Sequence, residues 1–462
     1  MNVPTGRLFS TFFAVFCLLT PQAVRAELVA TSSETVFLEL NPLQNGTSAL
    51  SLVWPIDHPT QDRVAALKAG ISSIVSGGTS SRSSYEINSF LNLKGVEQQV
   101  DVTGQNLILT VSGPNEVFPE TLVHLRNLLL KPEYSSDWYA RELERLSQTH
   151  STITRRPSDV LTEVADYLDH EPGDAANGVN DGDIRFGRPI QAILRSEDQV
   201  VKGRTDRLIK NLPTAATKWE LPIAKWVAAL TGGGKNTFTL PKGIVHFADP
   251  DSTEMLILFV SAEEFRNVND QLGANLLTDY IGANQGSEMF RIVRQTMRAA
   301  YDPRSDFVVM GEKKAMISLS ATVEAREWPE VYDKIKDIYQ GVRSGDVEQE
   351  SLEFQLDSLD RAYHYNFYND PVWAVRQYIH AHPKGVTGDI SIPLFGAFGT
   401  LSAEEVIKDS EELLPPFEDF LIILIGGGRA PSDILQSNGY CALPKSTPLR
   451  FCLDVLSNAE NL

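Results

Sequence analysis

The sequence has 462 residues, enough for two to four domains, and carries a formal net charge of −19 at pH 7. This acidic balance argues against nucleic acid or anionic lipid as a partner, because both are themselves polyanions. After the N-terminal segment no stretch approaches the ~18 apolar residues of a transmembrane helix, so we expect no membrane span in the mature chain.

The first 26 residues have the pattern of an export signal. Arg7 gives a positive start, Leu8–Leu19 is a short apolar run, and small residues precede a cleavage position at Ala26. An N-terminal membrane anchor is the alternative, although the apolar run is short for a span. Removal of residues 1–26 takes away two basic residues and changes the net charge from −19 to −21. We therefore expect an exported protein, periplasmic if the source is a diderm bacterium.

The first half of the chain alternates strand and helix patterns. Two strand-like runs, Thr35–Leu40 and Ala49–Trp54, flank Asn45-Gly46, which favours a hairpin between them. The next predicted elements are helices Gln61–Val75 and Ser83–Leu93 (capped by Ser83 or Ser84), paired strands Val96–Val102 and Asn106–Ser112, and helices Val117–Leu130, Ser136–Thr154 and Ser158–Leu168. Residues 171–187 are predicted to be a loop, and residues 212–240 connect to a second half.

The second half repeats this order at an offset of about 208 residues, which relates Gly78 to Gly286. Its predicted elements are strand Met255–Ser261, helices Asp270–Ile281 and Gly286–Arg298, strand Ala315–Val323, helices Trp328–Ser344 and Val347–Tyr365, and a late buried strand Phe417–Ile425. The pattern predicts duplication of an α+β unit with antiparallel strands. The tail after residue 430 is predicted to be irregular. Its two cysteines, Cys441 and Cys452, form either one disulfide or two free thiols.

Two segments resemble a known family. The run from Gly78 to Ile87 is similar to the turn and helix that follow the metal motif of the pitrilysin/insulinase peptidases, the inverted zincins with an H-x-x-E-H helix. Pro119–Glu142 and the second half from Leu240 to residue 360 are also similar. The resemblance covers about residues 35–428. It implies an α+β fold of two homologous domains, each a largely antiparallel sheet flanked by helices, that together form half of a clamshell chamber.

The predicted organisation is a signal peptide at 1–26, an N-terminal insulinase-like domain at 27–225, a C-terminal one at 226–430 and a tail at 431–462. The resemblance places the family's metal-motif histidines on Ala69 and Ser73 and its glutamate base on Ser72. The third ligand would fall near residues 149–150. A catalytic zinc needs three protein ligands and a carboxylate that activates water. We therefore expect no zinc and no catalysis in this chain.

The resemblance also implies a substrate-binding pair, Arg294 and Tyr301, in the second half. In the family an arginine and a tyrosine at this spacing face the zinc across the chamber and hold the substrate. A guanidinium offers paired donors to a carboxylate or carbonyl, and a tyrosine hydroxyl donates to a developing oxyanion. On a regular helix Arg294 would share a basic stripe with Arg291 and Arg298, for which a solvated surface paired with acids is the alternative. Gln99 lies near the family's substrate-pairing asparagine, or is structural.

These observations predict a non-catalytic, substrate-binding subunit of an exported heterodimeric zinc peptidase. A homologous partner with an intact H-x-x-E-H motif would supply the zinc and the general base, and peptides would be the substrate. The alternative is a catalytically inert peptide-binding or scaffold protein of the cell envelope.

Overall fold

Two six-stranded sheets form the centre of the molecule in a computed structural model. The structure describes residues 26–32, 35–56, 61–79, 81–103, 106–130, 132–133, 137–141, 144, 156–169, 184–186, 189–212, 217–219, 238–300, 302–311, 313–382, 397–427, 439–444 and 447–460. Sheet 1 has the strand order β1-β2-β9-β3-β6-β5, and sheet 2 has the order β13-β14-β12-β15-β11-β16.

The strands of sheet 1 are β1 Ala26–Ser32, β2 Thr35–Leu40, β3 Thr47–Pro55, β5 Glu97–Thr103, β6 Asn106–Pro114 and β9 Gln191–Arg195. Those of sheet 2 are β11 Gly243–Ala248, β12 Glu254–Glu264, β13 Arg304–Gly311, β14 Lys314–Glu324, β15 Leu421–Gly426 and β16 Tyr440–Pro444. Two small sheets pair β4 Gly78–Thr79 with β7 Pro132–Glu133, and β8 Ile184–Phe186 with β10 Thr217–Trp219.

Five strands of each sheet have the same topology. In sheet 1, β2 runs parallel to β9, and β9, β3, β6 and β5 follow in antiparallel pairs. In sheet 2, β11 runs parallel to β15, and β15, β12, β14 and β13 follow in antiparallel pairs. The sixth strands differ, because β1 is antiparallel to β2 whereas β16 is parallel to β11. The repeated pattern expected from a duplicated α+β unit is therefore present.

Helices cover the sheets. They are α1 Gln61–Ser76, α2 Ser84–Lys94, α3 Phe118–Leu130, α4 Pro157–Asp169, α5 Gln199–Asn211, α6 Val268–Gly282, a π-helix Phe290–Thr296, α7 Trp328–Arg343, α8 Gln349–Asn369, α9 Trp373–Ala381, α10 Ala403–Lys408, α11 Ser410–Leu413 and α12 Arg450–Glu460. Among the described residues no helix combines the length and apolar character needed to cross a bilayer.

The buried apolar residues join the two halves. One face of sheet 1 packs with α1, α2 and α3. Its opposite face contributes Leu38, Val53, Ile108 and Ile193 to the main core of the second half, which includes α6, α7 and α8. On the far side of sheet 2, α4 and α12 pack together over the strands. Because burial of apolar surface is the main stabilising term in folding, the halves share one continuous core.

A buried arginine fixes this junction. Arg195 at the end of β9 is fully buried, and its guanidinium donates to the carbonyl oxygens of Asn41 (3.0 Å), Asp370 (2.9 Å) and Phe367. The last two carbonyls belong to the C-terminal end of α8, where carbonyl groups lack helical partners. The first half thus satisfies the end of a helix in the second half.

The structure corrects four sequence predictions. Asn45-Gly46 does not close a hairpin, because β9 lies between β2 and β3. The loop predicted at residues 171–187 contains β8, and the predicted helix Gly286–Arg298 is a π-helix that ends at Thr296. The prediction that the tail after residue 430 is irregular is also wrong, since β16 joins sheet 2 and α12 packs on α4.

In this tail Cys441 and Cys452 are bonded as a disulfide, which was one of the two alternatives. The predicted helix Ser136–Thr154 is helical at 137–141 and otherwise lies mostly outside the described residues. The predicted signal peptide lies outside them except for Ala26, which begins β1.

Candidate functional site

An open groove lies between α1, α2 and the edge strand β5. Its volume is about 630 Å³. The lining residues are Ser72, Val75, Ser76, Asn88, Leu91, Asn92, Val96, Glu97, Gln98, Gln99 and Val100. The groove therefore lies beside the helix to which the sequence resemblance assigns the metal motif.

The three metal-motif positions on α1 offer no zinc ligand. Ala69 is fully buried in the core, and Ser73 is fully buried with its hydroxyl donating to the carbonyl oxygen of Gly70 at 2.8 Å. Ser72 is half-buried and lines the groove. Zinc is held by imidazole, thiolate or carboxylate groups, none of which these side chains carry. In the part of the chain that the structure describes, no three His, Cys, Asp or Glu residues are grouped to hold a metal ion.

Helix α2, which forms one wall of the groove, is capped at both ends. The Ser83 hydroxyl accepts from the Glu86 N–H, and the Glu86 carboxylate accepts from the Ser83 N–H, as in a capping box. The backbone N–H and hydroxyl of Ser83 hold the pKa of Glu86 below its usual range. At the other end Gly95 adopts φ 65°, a left-handed conformation that glycine takes without steric cost. This turn leads directly into β5, so α2 and the edge strand are set at a fixed angle.

Asn88 presents an unpaired acceptor to the groove. Its Nδ2 donates to the carbonyl oxygens of Ser76 (3.1 Å) and Ser84 (2.9 Å), and the Ser84 hydroxyl lies 3.2 Å away. These contacts fix the amide orientation, since nitrogen and not oxygen must face the carbonyls. Within the described residues the Asn88 Oδ1 has no donor. The side chain is therefore held by its amino group with its oxygen free.

Below α2, Arg82 and His124 pack together. The Arg82 Nη1 lies 2.7 Å from the His124 Nε2, and the Phe90 ring lies against the imidazole with centroids 4.3 Å apart. Burial and the nearby Arg82 guanidinium lower the pKa of His124. A neutral imidazole accepts the guanidinium hydrogen bond, so this contact anchors the turn between α1 and α2 and is not a metal site.

Arg294, which is predicted to bind substrate, lies on the π-helix of the second half. Arg294 is exposed, and its guanidinium carbon lies 4.8 Å from the Phe290 ring centroid. No ion pair joins it to another residue that the structure describes. Arg291 differs, because it pairs with Glu288 one turn earlier. Arg298 follows the helix with φ 57°, so the predicted three-arginine stripe is not formed.

The π-helix itself is a local departure from regular structure. The N–H of Met297 donates to the carbonyl oxygen of Ile292, five residues earlier, at 2.9 Å. Such turns are rare and occur frequently at functional sites. Tyr301 lies outside the described residues, so its relation to Arg294 stays a prediction. Gln99 is exposed on the edge strand and lines the groove with Gln98.

Sequence reasoning missed Asn88 and Glu97 as groove residues. Asn88 directly follows the segment from Gly78 to Ile87 that carries the family resemblance, and its spacing of four from Ser84 on a helix could have indicated the hydrogen bond. Glu97 gives no local signal, because only the packing of α2 against β5 places it at the groove.

Comparisons with known proteins bear on this fold. No protein-family model matches the sequence, and no curated protein matches it. The structure is similar to the peptidase M16 inactive domain from Pseudomonas fluorescens, with a TM-score of 0.63 and 13% identity, over 88% of this chain and 100% of that chain. A protease from Helicobacter pylori gives a TM-score of 0.61 and 10% identity, over 87% and 99% of the two chains.

A longer protein is also similar. The periplasmic protease PqqL from Escherichia coli gives a TM-score of 0.59 and 12% identity, over 92% of this chain and 49% of that chain. At these identities the likeness shows a shared fold. The fold class expected from the sequence, two α+β units that each contain a largely antiparallel sheet flanked by helices, is confirmed.

Proposed function

We propose that this protein is the non-catalytic, substrate-binding subunit of an exported zinc peptidase. One observation carries the proposal. The helix that would hold the metal has no ligand at Ala69, Ser72 or Ser73, while Arg294 on the other half is exposed and forms no ion pair with another described residue. A partner with an intact H-x-x-E-H helix would supply the zinc and the general base.

The relation to longer proteases supports a two-chain enzyme. This chain spans about half of the periplasmic protease PqqL, whose fold it shares. Two chains of this size would therefore match one such protease. That protease is periplasmic, and the export signal expected at residues 1–26 would direct this chain to the same compartment.

Arg294 and Tyr301 would act on the substrate bound at the partner's zinc. The fork of the Arg294 guanidinium would donate to a peptide carbonyl or carboxylate. The Tyr301 hydroxyl would donate to the oxygen that gains negative charge during attack on the scissile carbonyl. Neither residue moves a proton in this scheme. This chain's contribution is to orient the peptide and stabilise charge, because its own α1 cannot hold a metal.

The test compares two arginines on one helix. A zinc-bearing homologue is assayed for peptidase activity alone, with this chain, and with the variants Arg294→Ala and Arg291→Ala. We expect activity to depend on this chain, and Arg294→Ala to lower kcat/KM by about 10- to 100-fold, as loss of an oriented charged donor does. Arg291→Ala is the matched control and should change little, since Arg291 is paired with Glu288.

Full activity of the homologue alone, unchanged by this chain, would contradict the proposal. A stable complex in which both variants are equally active would show that Arg294 does not bind the substrate. Native mass spectrometry that finds only a homodimer would favour the inert peptide-binding or scaffold alternative.

A further inference from the structure

We infer that Asn45 is a self-modification site, at which the folded chain converts an asparagine to aspartate or isoaspartate without an enzyme. The inference goes beyond the proposed function, because the reaction needs no zinc, no peptide and no partner chain. It gives a role to the Asn45-Gly46 turn, whose side chain is held in place although the turn closes no hairpin.

The nucleophile of this reaction is the backbone nitrogen of Gly46. Its N–H has no acceptor among the described residues, whereas the Gly46 carbonyl oxygen accepts from the Asn115 N–H at 3.1 Å. Gly46 has φ 74°, and a Cβ atom at this position would have no neighbour within 4 Å. Glycine takes this left-handed conformation without steric cost and places no side chain beside its nitrogen. The nitrogen is therefore unpaired and unshielded.

The side-chain carbonyl of Asn45 is held as the electrophile. Its Oδ1 accepts from the backbone N–H of Thr47 at 3.2 Å and also from the Thr47 hydroxyl. Two donors on a carbonyl oxygen stabilise the negative charge that develops there during attack, as in an oxyanion hole. The Asn45 Nδ2, which is the leaving group, donates to the carbonyl oxygen of Asn369 at 3.2 Å. These three contacts fix the orientation of the amide.

The reaction consumes only water. A solvent base takes the Gly46 amide proton, and the nitrogen forms a bond to the Cγ atom of Asn45. Nδ2 takes a proton from water, the Cγ–Nδ2 bond breaks, and ammonia leaves a cyclic succinimide. Water then adds to one of the two imide carbonyls and opens the ring to aspartate or isoaspartate. No atom is oxidised or reduced, and the chain gains one negative charge.

The product changes a contact between the two halves. The Asn45 amide donates to the carbonyl oxygen of Asn369 at the end of α8. Beside it, the Gln44 N–H donates to the carbonyl oxygen of Tyr368 at 2.9 Å. A carboxylate at position 45 has no hydrogen to donate and turns an oxygen toward the Asn369 carbonyl. Conversion therefore weakens this contact with time, while Arg195 keeps its own carbonyl partners.

Peptide mapping by mass spectrometry tests the inference on the purified mature chain. The folded protein is incubated at pH 8, and replacement of the NH₂ group by OH at Asn45 is followed over days. The free peptide of residues 42–49 shows how fast the same bond reacts outside the fold. We expect a rate at least about threefold higher in the protein, since two hydrogen bonds activate the carbonyl there. A lower rate in the protein than in the peptide would overturn the inference.

Two substitutions of Thr47 test whether its hydroxyl activates the amide. Thr47→Val removes the hydroxyl from a side chain of the same shape and should slow the reaction about three- to tenfold, the value of one ordinary hydrogen bond. Thr47→Ser keeps the hydroxyl and should retain most of the rate. Asn177 and Asn438 also precede glycine, lie outside the described residues, and should react at the same rate in both variants. Equal rates at Asn45 in the two variants would overturn the activating role of Thr47.

The effect on the contact between the halves has its own measurement. Asn45→Asp introduces the product carboxylate directly and should speed hydrogen exchange in residues 41–48 and 365–371. It should also lower the melting temperature by about 1–3 °C, as the loss of one hydrogen bond does in a large domain. Thr47→Val is the control, because it leaves the Asn45 Nδ2 donor in place.

Unchanged exchange and an unchanged melting temperature in Asn45→Asp would show that the modification has no effect on the junction and would overturn that part of the inference. None of these measurements uses a zinc-bearing homologue or the Arg294 variants. The inference and the proposed function can therefore fail separately.

Discussion

The two halves of the molecule use the same strand topology to present different surfaces. In the first half α1 and the edge strand β5 both line an open groove of about 630 Å³. In the second half the corresponding helix α6 lies directly against the edge strand β13. A Cβ atom on Gly282 would lie 2.6 Å from the Ser305 nitrogen, and the Ser305 hydroxyl donates to the carbonyl oxygen of Thr278.

The difference follows from side-chain size at equivalent positions. At the offset of 208 residues Gly282 corresponds to Ile74, next to the groove residue Val75. Gly282 lets the backbone of β13 approach α6 closely, whereas the equivalent position in α1 carries a branched side chain. The comparison shows that duplication kept the framework while each half changed what it exposes. The first half keeps a groove without metal ligands, and the second keeps an exposed arginine.

The largest effect is expected where the halves are joined. Arg195→Met removes the guanidinium that donates to the carbonyl oxygens of Phe367 and Asp370 at the end of α8 and to that of Asn41, and leaves all three without this donor. We expect the free energy of unfolding to fall by about 3–5 kcal/mol, the cost of breaking a buried charged network. Urea denaturation followed by circular dichroism measures it. Arg207→Met, at an exposed position on α5, is the control and should change stability by less than about 0.5 kcal/mol.

A substitution at Gly282, where α6 meets β13, tests how closely this helix and strand approach each other. Gly282→Ala places a methyl group 2.6 Å from the Ser305 nitrogen and should force α6 away from β13. We expect a loss of about 2–3 kcal/mol, as for overpacked cores. Gly203→Ala on α5 meets no atom within 4 Å and should be neutral or stabilising by up to about 1 kcal/mol. Equal melting temperatures for the two variants would contradict the close approach.

The carboxylate of Asp279, on the same helix as Gly282, should make the stability of the second half depend on pH. Burial, and then the nearby Asp306, raise the pKa of Asp279 from 3.8 to about 7. Because the folded-state pKa is the higher one, this group costs stability increasingly as pH rises from about 4 to 7. Asp279→Asn should therefore stabilise the protein by up to roughly 4 kcal/mol at pH 8 and by much less at pH 4.

Thermal unfolding across this pH range measures the effect. Asp306→Asn should also stabilise the protein, but by less. It removes the nearby negative charge and leaves the burial of Asp279, the larger cause of its raised pKa, unchanged. A gain from Asp279→Asn that is the same at every pH would contradict the raised pKa. The equivalent position in the first half, Ile71, carries no charge, so that half should show no such dependence.

Much of the fold could be predicted because its signals are local. The Ser83 cap with Glu86, the pairing of β5 with β6, and the repeat of elements around Gly78 and Gly286 all follow from short-range patterns. β9 was missed because it is only five residues long and its partners β2 and β3 lie about 140–155 residues earlier in the chain. A parallel pairing across that distance leaves no local trace in sequence.

The candidate site was predictable only where a motif has fixed spacing. The loss of metal ligands at Ala69, Ser72 and Ser73 can be read from residue identity once the register is set. The π-helix at Arg294 could not be, because the extra residue in a turn depends on packing. The groove wall formed by Asn88 and Glu97 likewise requires the angle between α2 and β5, which sequence patterns do not define.

The position of β16 has a consequence for biosynthesis. Tyr440 on β16 contacts His246 on β11, 194 residues earlier in the chain. The described strands of sheet 1 end at Arg195, whereas sheet 2 lacks its sixth strand until residue 444 is made. At ~5–20 residues per second the first sheet precedes the second by roughly 10–50 s of translation. For the first part of that interval, until residue 369 is made, the apolar face carrying Leu38, Val53 and Ile108 has no cover from α8. Exposed apolar surface of this kind makes a partly folded chain prone to aggregation.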